Sequence, residues 1–428
     1  MSSSAFVWIF FILFIVMILL EVPIGTAMLV SSMLYIIQNG QSFVMFAQKT
    51  ASSFSSMSLL AVPAFIFVGS AMNEIGFSDR IFGIAEKSIG HIPGGLGHAN
   101  VLASMIFAGM SGSAMADAGG LGAIEIKAMD EAGYDKRFSV AITAASSGIG
   151  PIIPPSINLV IWGFLASAST VKLFLAGILP GILMGLCLMA FIYVDVRFLG
   201  IKAPITKRAT FKEFLHALWR GLPALCAPAI LLIGISSGVF TATETGAVAC
   251  AYIVLLGLAY RRLSFKKMLT ILKNTMTTTA LTMWLCATGS VFNWMIINSG
   301  LTKTLSDMLL SLNNRVAVLL VMNVILLFMG CFMGSLPVLN MMAPVLLNIA
   351  DAFGISYITM GVIAVLNLTI GGITPPMAPS LFVAAKVAGI PFSDCVPETL
   401  KMIIPLVAAL LLVTFIPGVT LFIPSILG

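Results

Sequence analysis

Long apolar segments constrain the fold of this chain more than any other feature of its sequence. The runs at residues 5–20, 224–235 and 400–416 together contain a single charged side chain, Lys401. About 20 apolar residues cross a bilayer as a helix, so the chain is long and apolar enough for roughly ten crossings. Only 9% of its 428 residues are charged, against about 25% in soluble domains. The sequence therefore predicts an all-α polytopic membrane protein and excludes a soluble enzyme, a disordered chain and a nucleic-acid binder.

The N-terminal segment and the reactive side chains exclude further classes. Residues 4–20 lack a basic flank and lead through Glu21 into another apolar stretch, which predicts a retained membrane segment rather than a signal peptide. The six cysteines form no CxxC motif and the three histidines do not cluster, which argues against a zinc or iron–sulfur site. No P-loop, dinucleotide fingerprint or Ser/His/Asp constellation is found, so we expect no enzyme activity and no cofactor. The energy source is then an ion gradient or another chain.

Four short motifs recur in the same order with a nearly constant offset of 220 to 223 residues. The matched positions are Glu21 with Glu244, Gly69 with Gly289, Gly112 with Gly334, and Pro154 with Pro375. Weak internal symmetry of this kind is typical of transporters built from two repeats. It predicts two homologous halves, residues 1–200 and 221–428, joined by a connector at 201–220.

The positive charges predict how the two halves are oriented. Residues 197–220 and 261–273 carry 11 of the 22 Lys and Arg residues, and short cytoplasmic loops carry the excess of positive charge. Both stretches are therefore predicted to be cytoplasmic. The segments that flank the matching helices of the first half, residues 1–4 and 38–48, contain no Lys or Arg. Equivalent segments thus start on opposite sides of the membrane, which predicts inverted-topology repeats.

The connector has the pattern of an amphipathic helix in the cytoplasmic interface. Phe211, Phe214, Leu215 and Leu218 fall on one helical face, and polar side chains occupy the other positions. Residues of the connector include Lys202, Lys207, Lys212 and Arg220. The pattern leaves two interpretations open: an anchor that only fixes the topology, or a helix that recognises anionic lipid.

Two clusters of glycine and proline interrupt apolar segments at corresponding places. The first, 148–156, lies between residues 138 and 165, and the second, 371–380, between 358 and 388. Each flank is about twelve residues long and too short to cross alone, so we expect two discontinuous helices unwound near the midplane. The proline pairs are predicted to lie just inside the second half-helix. Freed carbonyls there suit a cation such as Na⁺, and half-helix N-termini suit an anion, although kinks packed against neighbours are the alternative.

Two further glycine and serine motifs predict re-entrant helical hairpins. Ser111-Gly112-Ser113 lies between apolar stretches at 95–110 and 114–129, and Gly334-Ser335 lies between 316–333 and 336–349. By the charge pattern, the first hairpin enters from the cytoplasm and the second from outside, so the tips meet the broken helices near the bilayer centre. The hydroxyls of Ser111 and Ser113 then complete an oxygen cage or hold a substrate carboxylate. The alternative is that these small residues only allow close helix packing.

Charged residues inside apolar segments are costly and are therefore candidates for function. Glu21 and its repeat mate Glu244 lie at helix junctions, which favours capping of broken backbone over a proton relay. Asp117 follows the first tip by four residues, so it either acts on an ion or satisfies a backbone N–H at the tip. Asp195 lies near the cytoplasmic end of its helix, and its side chain is expected to reach the interface.

At this point the motifs resemble a known family. Residues 111–117, 150–156 and 371–376 are closely similar to the large membrane subunit of tripartite ATP-independent periplasmic (TRAP) transporters, the DctM-like family, and the likeness runs nearly end to end. The resemblance implies a multi-pass protein of a bacterial inner membrane that imports organic acids with Na⁺. It implies two partners, a small four-helix membrane subunit (DctQ-like) and a periplasmic substrate-binding protein (DctP-like). It also implies an elevator mechanism and a fold like that of the ion transporter superfamily, in which both hairpins and both broken helices move against a scaffold.

The resemblance also implies site residues. A first Na⁺ site would use Ser111, Gly150, Ile153 and Pro155, mostly through carbonyls, and a second would use Gly334, Gly372, Thr374 and Met377. Ser113 and Ser156 would face the substrate carboxylate. The second half departs from symmetry, because Met333-Gly334-Ser335 lacks the first serine of Ser111-Gly112-Ser113.

The resemblance divides each half into four parts. In the first half these are scaffold helices at 5–75, a hairpin at 95–132, a broken helix at 138–165 and a helix at 172–196; in the second they are scaffold helices at 222–298, a hairpin at 316–350, a broken helix at 357–388 and a helix at 400–425. Sialic acid is the favoured substrate, with C4-dicarboxylates and sugar acids next. The alternative function is a self-sufficient Na⁺- or H⁺-coupled carboxylate transporter that needs no binding protein.

Overall fold

The computed structural model describes residues 3–56, 59–198, 200, 203–204, 208–236 and 240–427. All regular structure in this part of the chain is α-helical, which confirms the predicted fold class at the level of secondary structure. The helices are α1 (Ser3–Leu19), α2 (Ile24–Gln38), α3 (Phe43–Phe54), α4 (Ala61–Ile75), α5 (Ser78–Ile89), α6 (Gly95–Ser111), α7 (Ala114–Gly119), α8 (Leu121–Glu131), α9 (Lys136–Ser147), α10 (Ile157–Leu165), α11 (Thr170–Phe198), α12 (Phe211–Ser236), α13 (Ala242–Ala259), α14 (Phe265–Asn298), α15 (Leu301–Leu310), α16 (Arg315–Phe332), α17 (Ser335–Ala352), α18 (Tyr357–Gly371), α19 (Pro379–Ala388), α20 (Phe392–Phe415) and α21 (Gly418–Leu427).

Seven helices of the described residues are long and apolar enough to cross a bilayer. They are α11, α12, α13, α14, α16, α17 and α20. The pair α4 and α5 passes the same test together, with a bend of 76° between the two helices. This is fewer than the roughly ten crossings expected from the apolar runs, because several runs are divided into short helices. Helices such as α18 and α19 have 15 and 10 residues, and neither half is long enough to span alone.

The first hairpin motif turns within two residues. Helix α6 ends at Ser111, and Gly112 takes a left-handed conformation with φ of 58°. Ser113 is extended and precedes α7. A left-handed backbone favours glycine because a side chain there meets the following carbonyl. The second motif turns differently, since Met333 has φ of −130° and Gly334 has φ of −59° before α17 begins.

Both glycine–proline clusters contain a non-helical link between two helices, although Gly371 ends α18 and Pro379 and Ser380 begin α19. The first link joins α9 to α10 and holds a cis Pro154–Pro155 bond, and the second joins α18 to α19 and holds a cis Pro375–Pro376 bond. The expectation that the proline pairs begin the second half-helix is wrong. Helix α10 begins at Ile157, after the N-cap Ser156, and α19 begins at Pro379. The Ser156 side chain, which accepts from the N–H of Leu159, sets the start of α10. Pro379, in the first turn of α19, sets the start of the other half-helix.

Glycines at matched positions of the two halves let helices approach each hairpin closely. A methyl group placed on Gly69 of α4 would lie 2.9 Å from the Cα of Ser111, and one on Gly289 of α14 would lie 2.6 Å from the Cγ of Asn340. Hairpin residues thus press directly on α4 and α14. Glycine allows this approach because it has no Cβ to separate the backbones.

The connector helix is continuous with the membrane helix that follows it, since α12 runs without a break from Phe211 to Ser236. Lys202 and Lys207 lie outside the described residues. The outer surface of the described chain carries many large apolar side chains, such as Phe265, which is 80% exposed. Extensive exposed apolar surface fits a protein whose solvent is lipid.

Candidate functional site

The hairpin tips and the helix breaks meet at one cavity of about 410 Å³, here called the central cavity. Gly112 and Ser113 of the first tip line it together with Gly334 and Ser335 of the second. The helix breaks contribute Pro151, Ile157, Gly372, Pro379 and Ser380, and the neighbouring helix α14 contributes Thr278, Thr282 and Trp284. The sequence had singled out all four motifs separately, and the fold brings them to one place.

A second cavity of about 380 Å³, here called the side chamber, adjoins the central cavity. The two share Ser113, Met115, Ile157 and Thr278 in their walls. The side chamber also reaches Ser111 of the first tip and polar residues of α4, including Asn73 and Glu74. Ser113 therefore lies on the boundary of two connected spaces, while Ser111 faces the side chamber alone.

The first tip packs directly on the first helix break. A methyl group on Gly112 would lie 2.5 Å from the carbonyl oxygen of Pro155, and one on Gly150 would lie 3.5 Å from the carbonyl oxygen of Ser113. Among the described residues, the buried Ser111 hydroxyl has no hydrogen-bond partner. The structure thus brings three of the residues of the first predicted ion site, Ser111, Gly150 and Pro155, into one neighbourhood.

Ile153 is the fourth residue of the first predicted ion site, and it packs against α11. Its side chain packs on Gly181 of α11, where a methyl group would lie 2.2 Å from the Cγ1 of Ile153. The side chain is buried, with 8% exposure. Packing on α11 fixes the backbone of the break. Because the side chain of Ile153 is apolar, its backbone carbonyl is the group that could coordinate a cation.

The second predicted ion set lies around the second tip and the second break. Gly334 and Gly372 both line the central cavity. The hydroxyl of Thr374 donates to the carbonyl of Ile370 at 2.8 Å, which leaves the oxygen lone pairs as acceptors. The backbone N–H of Met377 donates to the carbonyl of Cys331 at 3.2 Å. This bond ties the second break to the first arm of the second hairpin.

The two predicted substrate serines have different surroundings. Ser113 makes no side-chain cap of α7 and lies in the wall of both cavities. Ser156 is fully buried, accepts a hydrogen bond from the N–H of Leu159 at 3.1 Å, and donates to the carbonyl of Pro151. Ser156 therefore closes the first break and caps α10. Of the two serines, only Ser113 has a hydroxyl that forms no hydrogen bond with the described residues and faces the cavities.

Sequence reasoning missed a contact between the two halves. The Nδ2 of Asn158 donates to the hydroxyl of Ser335 at 3.1 Å, joining the start of α10 to the second tip. The signal was a polar side chain two residues beyond the first break, in an otherwise apolar segment. Thr278 and Thr282 were also missed, because the α14 sequence around them gives no break or motif.

Sequence reasoning singled out Asp117 but missed the buried polar cluster behind the first tip to which it belongs. Asp117 and Glu125 are 1% and 0% exposed, and neither forms an ion pair within 4.0 Å with any described residue. Asp117 lies beside Ser104 and near Glu125. Neither of its carboxyl oxygens accepts a hydrogen bond from a backbone N–H of the described residues, so the alternative in which Asp117 satisfies an N–H at the tip is wrong. Asn100, Thr143 and Ser146 form hydrogen bonds of 2.6 to 2.7 Å in the same hairpin and α9. Glu125 was overlooked because the charged residues that follow it in α8, Lys127, Asp130 and Glu131, suggest an ordinary surface helix.

The other acidic residues of the apolar segments have different environments, since Glu244 caps a helix and Asp195 is buried. Glu244 completes a capping box at the start of α13, where its Oε2 accepts from the Thr241 N–H at 2.8 Å, and this confirms the capping interpretation for Glu244. The interpretation is wrong for its repeat mate Glu21, because α2 begins after Pro23 without a side-chain cap. Asp195 is fully buried, so the expectation that its side chain reaches the interface is wrong. Its nearest charges are Lys401 and Glu398 of α20, because α11 packs against α20 at this level.

Known relatives match most of the length of the chain. It is 39% identical to the sialic acid TRAP transporter large permease protein SiaM of Vibrio cholerae over 94% of this chain and 95% of the relative. It is 37% identical to the sialic acid TRAP transporter permease protein SiaT of Haemophilus influenzae over 99% and 69%. The C4-dicarboxylate TRAP transporter large permease protein DctM of Pseudomonas aeruginosa is 36% identical over 86% and 87%.

A solved structure and a sequence-family model also match this chain. The YdaH transporter of Alcanivorax borkumensis superposes with a TM-score of 0.60 at 16% identity, covering 88% of each chain, which shows a shared membrane-transporter fold. The model of the tripartite ATP-independent periplasmic transporter DctM component matches residues 11–419. The chain therefore belongs to the DctM family, the large permease component of TRAP transporters.

Proposed function

We propose that this TRAP permease subunit performs Na⁺-coupled secondary import, taking an organic acid from a periplasmic binding protein and moving it to the cytoplasm. The observation that carries the proposal is the convergence of two hairpin tips and two helix breaks on the central cavity. Its volume of about 410 Å³ is in the usual range of about 300–1,000 Å³ for small-molecule sites.

The wall of the central cavity suits an anion despite its lack of charge. None of its described lining residues is Lys, Arg, Asp or Glu. Five of the described helices have their first residue in this wall, at Ile24 of α2, Ala114 of α7, Ile157 of α10, Ser335 of α17 and Pro379 of α19. Helix N-termini carry partial positive charge and unpaired N–H groups. A substrate carboxylate would bind there, beside the hydroxyl of Ser113.

The coupling ion would bind where buried oxygen atoms lack partners. A buried hydroxyl without a hydrogen bond is costly unless a ligand completes it. Ser111 has this property at the first tip, next to the break that carries Gly150, Ile153 and Pro155. We assign the first Na⁺ to these four residues and the second to Gly334, Gly372, Thr374 and Met377. With no carboxylate at either set, the ligands are carbonyl and hydroxyl oxygens, which suit a hard cation.

The movement we propose is an elevator motion of two inverted repeats. The hairpins and broken helices form the moving part, and α4 and α14 belong to the scaffold against which it slides. Gly69 and Gly289 support this division, because they occupy matched positions and each faces a hairpin of its own half. Glycine at both contacts keeps the sliding surface free of interlocking side chains.

Sialic acid is the substrate we favour, because the relatives SiaM and SiaT carry that name. A C4-dicarboxylate or a sugar acid comes next, since a relative of similar identity is named for C4-dicarboxylates. The family name describes a tripartite assembly, and we assign the two other components as a small four-helix DctQ-like membrane subunit and a DctP-like periplasmic binding protein.

Uptake of N-acetylneuraminate into proteoliposomes tests the proposal. With the small subunit and the loaded binding protein present, we expect uptake several-fold faster under an inward Na⁺ gradient than with equal Na⁺ on both sides. Full uptake under a proton gradient without Na⁺ would contradict Na⁺ coupling.

The same assay separates the proposal from the self-sufficient alternative. Omitting the binding protein while keeping the Na⁺ gradient is expected to reduce uptake to the level of empty liposomes. Undiminished uptake of the free acid would favour a carboxylate transporter that needs no binding protein. Replacing N-acetylneuraminate by succinate or a sugar acid, each with its own binding protein, tests the choice of substrate.

A further inference from the structure

A strongly basic cleft lies away from the central cavity, between α5 and the first turns of α12. It encloses about 840 Å³, and the turn between α13 and α14 closes one end. Five basic side chains line it: Arg80, Lys87, Lys212, Arg220 and Arg262. A neighbouring space of about 650 Å³ shares Lys87 in its wall and adds Arg208. The linings of the central cavity and the side chamber, by contrast, contain no Lys or Arg.

The positive charge of the cleft is not neutralised by the protein. Among the described residues, none of the five bases forms an ion pair within 4.0 Å, and the pairs that do exist involve other lysines. Glu213 is the only acid in the lining. Its Oε2 accepts from the N–H of Thr210 at 2.7 Å, which makes it a helix cap. The cleft therefore keeps a net charge of about +4 for a ligand.

Two of the arginines are held in place by the surrounding fold. The Nη1 of Arg80 donates to the carbonyl of Arg220 at 3.0 Å, and its guanidinium lies 4.4 Å from the ring centre of Tyr260. The Nη1 of Arg262 donates to the carbonyl of Ile75 at 3.4 Å, at the bend between α4 and α5. Each guanidinium has five N–H donors, so further donors remain for an anionic oxygen. Fixed donors lose less entropy when a ligand binds.

The face of α12 that adjoins the cleft shows which kind of anion fits. Lys212, His216 and Arg220 line the cleft, whereas Phe211, Leu215 and Trp219 are 78%, 50% and 74% exposed. The two sets are offset by one residue along the same four-residue spacing, so they occupy adjoining faces of one helix. Apolar side chains beside a basic cleft match a ligand with both an anionic head and hydrocarbon tails. A soluble phosphate compound has no part that would contact the apolar face.

We propose that the basic cleft binds the headgroup of an anionic phospholipid, with the acyl chains lying along the exposed apolar face of α12. The predicted cytoplasmic side of these residues agrees with this, because basic pockets at that interface are a common form of lipid recognition. The lipid would join α5 to α12, two helices already packed at Ile84 and Gly221. This site is separate from the central cavity and adds lipid dependence to the permease.

Native mass spectrometry of the delipidated full chain tests this site directly. Phosphatidylglycerol is expected to bind at least about tenfold more tightly than phosphatidylethanolamine, since each basic side chain near an anionic headgroup contributes about a fivefold factor. Glycerol 3-phosphate, which carries a phosphate monoester on glycerol but no acyl chains, is expected not to compete at the same concentration. Equal binding of the two lipids overturns the proposal. Full competition by glycerol 3-phosphate would mean that the cleft binds a soluble phosphate compound, and this result also overturns the proposal.

Two variants distinguish the cleft from general surface charge. Lys87→Gln with Lys212→Gln is expected to weaken phosphatidylglycerol binding about 10- to 30-fold. The matched control, Lys266→Gln with Lys273→Gln, removes the same charge from exposed positions of α14 outside the cleft and is expected to leave binding within about twofold. An equal loss in both double variants contradicts a specific site.

A third variant blocks the cleft without changing its charge. Gly83 lines the cleft, and a methyl group on it would meet no atom within 4 Å. Gly83→Leu therefore fills open space in a helix and is expected to fold normally while weakening phosphatidylglycerol binding about tenfold. Unchanged lipid binding in Gly83→Leu would place the lipid elsewhere and overturn the assignment.

Discussion

Replacing Gly112 by alanine is expected to lower Na⁺-driven uptake at least about 30-fold. Gly112 has a left-handed backbone, and a methyl group on it would lie 2.5 Å from the carbonyl oxygen of Pro155. The left-handed conformation costs a side chain about 1–2 kcal/mol, and overpacking adds about 1–3 kcal/mol. The tip would have to withdraw from the break, which separates Ser111 and Ser113 from the residues with which they form the proposed sites.

A matched control separates the contact from the backbone conformation. Gly389 has a left-handed backbone with φ of 68°, and a methyl group on it would meet no atom within 4 Å. Gly389→Ala should therefore bear only the conformational cost, with uptake within about threefold of the unmodified chain. Both variants should be compared at equal amounts of membrane protein. Equal uptake in Gly112→Ala and the unmodified chain would show that the tip does not need its contact with Pro155.

The backbone breaks were predictable because their chemistry is local. Proline and glycine interrupt a helix wherever they stand, so the clusters around Gly150 and Gly372 appear in the sequence itself. The same holds for the tip at Gly112, where only a residue without Cβ fits the turn. Repetition of these motifs with a constant offset then distinguishes them from chance. Family membership places the chain in a bacterial inner membrane as a multi-pass protein, in agreement with the composition.

The features that could not be predicted from the sequence depend on contacts between residues that are far apart in the chain. The hydrogen bond from Asn158 to Ser335 joins residues 177 positions apart, and no local pattern marks either partner. Glu125 looks like a surface residue until α9 packs over it and buries it completely. The basic cleft likewise combines Arg80, Lys212 and Arg262 from three parts of the chain. In each case the partner is supplied by tertiary packing, which single-sequence periodicity does not contain.

Ser111→Ala and Ser113→Ala are expected to impair transport through different ligands. Ser111 carries a buried hydroxyl without a partner among the described residues, so its removal should raise the Na⁺ concentration needed for half-maximal uptake about tenfold, with little change in substrate affinity. Ser113 lies on the boundary of the central cavity and the side chamber. Its removal should raise the half-saturating concentration of the substrate-loaded binding protein about tenfold instead, with little change in Na⁺ dependence. Uptake rates measured over both concentrations separate the two effects.

Measurements of thermal unfolding distinguish the loss of a ligand from a loss of stability in Ser111→Ala. Loss of a buried hydroxyl that makes no hydrogen bond removes no favourable contact and leaves no group unpaired, so Ser111→Ala should unfold within about 2 °C of the unmodified chain. Ser31→Ala is the matched control, because Ser31 is also fully buried in a helix with an unpartnered hydroxyl, yet lines neither cavity. It should leave both Na⁺ and substrate dependence unchanged. If Ser111→Ala and Ser113→Ala retain the Na⁺ and substrate dependence of Ser31→Ala, the first tip binds neither ligand, and the sites must lie at the second tip or along α14.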